Sequence, residues 1–100
     1  MKSITVKELA HLINTKEDFQ LIDTRESYEH EDFNIGGILI PLGDITKYIH
    51  QVERQKPVVL YCRKGIRSQI AIQRLQEKFP FKNLLNLIGG TEAWKKQYPE

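Results

Sequence analysis

The sequence predicts a small α/β sandwich, a parallel sheet held between two layers of helices. Three observations carry that reading. Short apolar segments alternate along the chain with stretches of helical periodicity. Those segments are hydrophobic throughout rather than at every second position, and the chain has 100 residues, enough for one core. Strands buried on both faces are what a parallel sheet covered on both sides requires. A chain of this length forms one unit, so residues 1–100, with no repeat, low-complexity tract or linker-like stretch, are read as a single domain.

The elements follow in order. Thr5 and Glu8 fit a capping box, in which each side chain satisfies a backbone donor beside the other. Behind them Val6, Leu9, Ala10 and Ile13 line one helical face, which predicts a helix over Val6 to Asn14. Gln20 to Asp23 reads as a buried strand and Ser27 to Asp32 as a short helix. Ile38-Leu39-Ile40 is a small strand stopped by Pro41. Gly43 to Ile49 has room for a helical turn or two. Val58 to Tyr61, entered from Pro57, is the clearest strand. Ala71, Ile72, Leu75 and Phe79 form a stripe that predicts a helix from Ser68 to about Lys78, ending before Pro80. Leu84 to Leu87 is a last strand, and Thr91 to Gln97 a closing helix behind Gly89-Gly90, where the glycines chiefly permit the turn. Ala93 and Trp94 are expected to pack that helix onto the sheet. Ligands of open parallel sheets collect beyond the carboxyl ends of the strands, which places Asp23, Pro41, Cys62 and Gly89 at the functional edge.

Composition narrows the function. Fifteen Lys+Arg against 13 Asp+Glu leave a net charge of +2, spread along the chain, which gives no footprint for nucleic acid. No apolar run reaches the length of a membrane span or a signal-peptide core. Cys62 is the single cysteine, so no internal disulfide can form, and a zinc site would need the three separated histidines His11, His30 and His50. These read as isolated surface residues without a role. A cytoplasmic protein is the expectation for such cysteine usage.

The chemistry concentrates in Cys62-Arg63-Lys64-Gly65-Ile66-Arg67-Ser68, a loop between a strand and a helix start. A cysteine there faces loop amides and the positive end of a helix dipole, which together with Arg63, Lys64 and Arg67 favour the thiolate. Gly65 allows successive N–H groups to turn inward as an anion-binding nest. The blander alternative is a buried, inert cysteine beside a turn whose cations are merely solvated. Four residues separate Cys62 from Arg67. Cysteine phosphatases and related arsenate reductases use five to wrap a tetrahedral oxyanion, so the tighter loop favours one extra sulfur on the cysteine, that is, persulfide chemistry.

Four segments in order resemble the rhodanese family of sulfurtransferases over nearly the full length. They are Leu21-Ile22-Asp23-Thr24-Arg25-Glu26 with Tyr28-Glu29, then Ile40-Pro41-Leu42, the Cys62–Ser68 loop, and Asn86-Leu87-Ile88-Gly89-Gly90-Thr91-Glu92-Ala93-Trp94. The resemblance implies the three-layer rhodanese fold, a five-stranded parallel sheet with helices on both faces. It also implies that Cys62 receives a sulfane sulfur and passes it on. Where many rhodaneses have Gly-His-Ile-Pro-Gly-Ala, this chain has Phe33-Asn34-Ile35-Gly36-Gly37-Ile38. That variant is most similar to rhodanese domains appended to adenylyltransferases of sulfur-carrier pathways, so the chain is expected to be either a separate protein or an excised C-terminal domain.

The roles expected from this resemblance are specific. Cys62 attacks thiosulfate or a polysulfide, or takes sulfur from a cysteine desulfurase, and the amides of Arg63, Lys64, Gly65, Ile66 and Arg67 hold the persulfide. Lys64 and Arg63 steer the donor. Arg67 either braces the loop against a carboxylate such as Glu29 or contacts substrate. Asp23 accepts loop hydrogen bonds or caps the turn before Ser27, and Arg25 belongs to the same support. The acceptor is a thiol or a sulfur-acceptor protein, and no metal or organic cofactor is expected. Three other functions stand as alternatives: a non-catalytic rhodanese-like docking module, a cysteine phosphatase or arsenate reductase, and a redox sensor. The last would lack a second thiol within the chain.

Overall fold

The computed structural model describes residues 1–99. The chain runs β1 (Ser3–Ile4), α1 (Val6–Asn14), β2 (Gln20–Asp23), α2 (Ser27–Asp32), β3 (Ile38–Leu39), β4 (Val58–Tyr61), α3 (Ile66–Lys78), β5 (Leu84–Leu87) and α4 (Gly90–Gln97). All pairings are parallel and the sheet order is β1-β5-β4-β2-β3.

The alternation of side chains along a strand divides the core into two halves. Val58 and Leu60 of β4 join Ile22, Ala71, Ile72, Leu75 and Leu84 on the α3 side. Val59 and Tyr61 join Ile4, Leu9, Leu21 and Leu87 on the other side, with Trp94 of α4 packed against them. β4 is buried at every position, which is why it reads as a continuous apolar run. No helix among the described residues is long and apolar enough to cross a membrane.

Several expectations change at the edges. β1 carries no sequence signal because it is two residues long and pairs with β5 through Ser3 and Ile4 alone. β3 stops at Leu39, one residue before the expected end. The helical turns expected over Gly43 to Ile49 are two 3₁₀ turns, Leu42–Asp44 and Ile49–Gln51, lying at the two ends of that segment. α3 starts at Ile66 rather than Ser68, since Gly65 at φ +92° supplies the turn and the helix follows at once. α4 likewise starts at Gly90. The capping box forms, with Thr5 N–H donating to Glu8 Oε1 at 2.9 Å and Glu8 N–H to Thr5 Oγ1 at 3.1 Å.

Topology selects the position of the site. The chain leaves β2 toward β3 on one side and leaves β4 toward β5 on the other, so a crevice opens between their carboxyl ends. Thr24 ties the two ends together: its N–H and its hydroxyl both donate to the Tyr61 carbonyl at 2.9 Å. The Tyr61 ring, fully buried, pins the segment before β3, its hydroxyl donating to Gly36 O at 2.9 Å and accepting from Ile35 N–H at 3.1 Å. Burial pushes this phenol well above its ordinary ionisation range, so it stays neutral. Tyr61→Phe should therefore cost about 1–3 kcal/mol in denaturant melts, the loss of a buried hydroxyl that serves two backbone groups; an unchanged midpoint would show that solvent replaces both bonds.

Candidate active site

The residue after β4 is Cys62, 1% exposed. Its Sγ points back at the N-terminus of α3 and receives the Gly65 N–H at 3.1 Å and the Ser68 N–H at 3.4 Å. Helix N-termini carry unsatisfied N–H groups and a partial positive charge, so this sulfur sits where negative charge is stabilised. Gly65, in the left-handed region, reverses the chain tightly enough for residues three and six beyond the cysteine to reach the same atom. Ser68 Oγ lies 3.4 Å from Sγ and is hydrogen-bonded to Asn86 Oδ1 on β5.

A second helix holds the loop from outside. Thr91 N–H donates to Cys62 O at 2.9 Å and Glu92 N–H to Arg63 O at 3.0 Å. The approach is so close that a Cβ on Gly90 would stand 2.2 Å from the Cys62 carbonyl oxygen. Close approach is thus as much the reason for this glycine as the turn, a correction to the expectation that the turn comes first.

The cations around the sulfur are unequal. Arg67 lies in the first turn of α3 and donates to both oxygens of Glu29, at 2.6 and 2.9 Å. Arg63 donates to Glu92 Oε2 at 2.9 Å. Lys64 and Ile66 are exposed at the rim. Together Cys62, Arg63, Lys64, Ile66 and Arg67 line a depression of about 140 Å³. At roughly 30 Å³ per water, that space suits a small anion.

Asp23 and Arg25 make no hydrogen bond to this loop. Asp23, fully buried, accepts from Arg25 N–H and Nε at 3.0 Å and from Arg25 Nη2 at 2.8 Å. The expectation that Asp23 binds the loop is therefore corrected: its acceptors are used up by Arg25 and by His30, whose Nδ1 lies 2.9 Å from Asp23 Oδ2. His30 is accordingly neither isolated nor without a partner. Arg25 Nη2 also donates to Phe33 O at 2.5 Å, closing α2 against the end of β2. Sequence reasoning passed over Thr24, Asn86 and the partner of His30. Only the spacing Asp23 to His30, which spans a turn and a helix start, carried any signal for the last.

The Arg67 guanidinium holds the Glu29 carboxyl down to about 2 from an ordinary 4.5. A depressed folded-state value means that the pair stabilises the fold fully above about pH 4.5 and loses this contribution as pH falls toward 2. The stability gap between wild type and Glu29→Gln in chemical denaturation should be constant above that range and close through it; a gap that stays flat into acid would show that the pair contributes nothing.

The comparisons with known proteins agree with this geometry. The rhodanese-like domain family profile matches residues 5–97. The thiosulfate sulfurtransferase GlpE of Coxiella burnetii is 34% identical over 98 residues, covering 93% of this chain and 91% of that protein. An adenylyltransferase and sulfurtransferase of Drosophila ananassae is 34% identical over 82 residues, 74% of this chain and 18% of that protein. Among solved structures, a rhodanese-like domain protein from Staphylococcus aureus superposes with a TM-score of 0.84 at 27% identity, over 94% of this chain and 91% of that one. The parallel five-stranded sheet, its helical layers and the family match together place the chain in the rhodanese family.

Proposed function

We propose that this protein is a sulfurtransferase that carries a sulfane sulfur on Cys62. One observation supports the reading above all. The Cys62 sulfur lies at the floor of a small cationic depression with the Gly65 and Ser68 N–H groups turned onto it. An inert structural cysteine needs neither.

The Cys62 thiolate attacks the outer sulfur of a donor such as thiosulfate. A sulfur–sulfur bond forms to Sγ, the donor's own sulfur–sulfur bond breaks, and sulfite leaves with the electron pair. The resulting persulfide is anionic at its outer sulfur, and the loop amides between Arg63 and Arg67 hold it. An acceptor then attacks that outer sulfur and returns Sγ as thiolate. Neither step needs a metal or an organic cofactor. The likeness to GlpE supports thiosulfate as one donor, with polysulfide or a cysteine desulfurase serving the same chemistry. The pattern shared with rhodanese domains of sulfur-carrier adenylyltransferases supports a sulfur-carrier protein as acceptor, and a thiol can serve the same chemistry. A lone thiol that must stay reduced suits the cytoplasm.

Arg67 braces the loop in this reading, because its guanidinium is spent on both Glu29 oxygens, and Lys64 is the cation left to meet the donor.

Incubation with thiosulfate should add one sulfur to the intact mass, removable by dithiothreitol, and cyanide should then yield thiocyanate. Cys62→Ser should abolish both signals with the melting curve unchanged. A wild type that shows neither adduct nor thiocyanate overturns the proposal, and Cys62-dependent hydrolysis of p-nitrophenyl phosphate in their place would point to a phosphatase.

A further inference from the structure

Ser68 is fully buried, and its hydroxyl stands between two atoms that compete for it. Oγ is 3.4 Å from Cys62 Sγ on one side and hydrogen-bonded to Asn86 Oδ1 on the other. A hydroxyl has one proton, and an amide oxygen only accepts. The proton therefore points at Asn86, and Ser68 turns its lone pairs to the sulfur. A lone pair can accept the S–H of a thiol, but it repels a thiolate.

We propose that Ser68 and Asn86 form a two-position hydroxyl switch that follows the charge on the Cys62 sulfur. Ser68 touches the reacting atom, and Asn86 is a positioning residue that acts through it. When Sγ is anionic, the Ser68 O–H turns about its C–O bond and donates to sulfur. Asn86 Oδ1 then needs another donor. Asn86 lines a cavity of about 430 Å³ with Ser3, Lys64, Gln69 and Gln73, polar and wide enough for water to take over the bond. Neither position strands a buried polar group.

The switch has a consequence for sulfur transfer, which rests on the reading of Cys62 given above. In the persulfide the charge lies on the outer sulfur and Sγ is uncharged, so the hydroxyl belongs on Asn86. During discharge the acceptor bonds to the outer sulfur, the bond from that sulfur to Sγ breaks, and the electron pair arrives on Sγ. Ser68 then donates its hydrogen bond to the leaving thiolate as the charge appears, and no proton changes owner. The other charged groups around the site are Arg63 with Glu92, Lys64, and Arg67 with Glu29. They are the same in every variant below.

The chain's one cysteine makes thiolate absorbance in the ultraviolet a clean probe, with Cys62→Ser as the blank. Ser68→Ala should move the midpoint of the absorbance–pH curve up by about one unit, the effect of one hydrogen bond to a charged acceptor. Asn86→Ala should move it down, because the competing acceptor is gone. Asn86→Val serves the same purpose if Ala loosens β5. The double variant should match Ser68→Ala alone, since Asn86 acts only through that hydroxyl. In single-turnover discharge of the thiosulfate-loaded protein to cyanide, Ser68→Ala should be about tenfold slower. Shifts of the same sign for Ser68 and Asn86 variants, or an Asn86 effect that persists without the Ser68 hydroxyl, overturn the switch. A wild type that never loads sulfur instead overturns the sulfurtransferase reading and leaves the absorbance curves to decide the switch.

Discussion

The site depends on how the two carbonyl groups after β4 are disposed. Cys62 O and Arg63 O are drawn onto the first free N–H groups of α4, those of Thr91 and Glu92. With the carbonyls committed outward, the loop amides that follow are free to face inward, and those of Gly65 and Ser68 reach Sγ. Each helix N-terminus has donors without intrahelical partners: Thr91 and Glu92 of α4 give theirs to the loop carbonyls, and Ser68 of α3, with Gly65 just before the helix, gives its N–H to the sulfur. The loop is thus a bridge between two helix ends. Gly90 is the contact point, where any side chain would drive the bridge away.

A second support comes from α2, which has no buried residue of its own. A six-residue helix with no buried residue is not held by burial, so side-chain hydrogen bonds and ion pairs hold it instead. Arg25 and His30 meet the fully buried Asp23 at the end of β2, and Glu29 meets Arg67 on α3. A buried carboxylate is costly unless its oxygens are satisfied, and the three bonds from Arg25 with the contact from His30 do this. The pairing thereby fastens α2 over the crevice between β2 and β4, and Arg67, whose backbone lies next to Ser68, is fastened with it.

The legibility of these features follows their range in the chain. α1, β2, β4 and β5 lie where their apolar patterns put them, because each is set by burial within its own segment, and α2 lies at its expected place although it buries no residue. β1 was illegible: two residues carry no period, and only β5, more than eighty residues away, makes them a strand. α3 starts two residues before its expected position because the apolar stripe begins late, while the helix follows directly on Gly65. At the site, the loop itself is contiguous and readable. Its supports are not: Asn86, Thr24 and the N–H groups of α4 come from elements whose neighbours are decided by sheet order. Asp23 shows the same limit from the other side. Its position at a strand end was right, but its partners are Arg25 and His30 rather than the loop one strand away.

The charge balance around Cys62 bears on turnover if the protein transfers sulfur. Sequence alone counts three cations within five residues of the sulfur. In the fold Arg63 is paired with Glu92 and Arg67 with Glu29, so Lys64 is the one of the three without an ion pair among the described residues. Three free cations would bind a dianionic donor tightly, and they would bind the departing dianion equally well. Binding shared by ground state and product does not speed the chemistry. With two cations neutralised, the fixed N–H groups of α3 remain as the main stabilisation at Sγ itself. In the proposed chemistry they would act on the atom where charge appears and vanishes, while Lys64, exposed at the rim, would attract the donor without retaining the product.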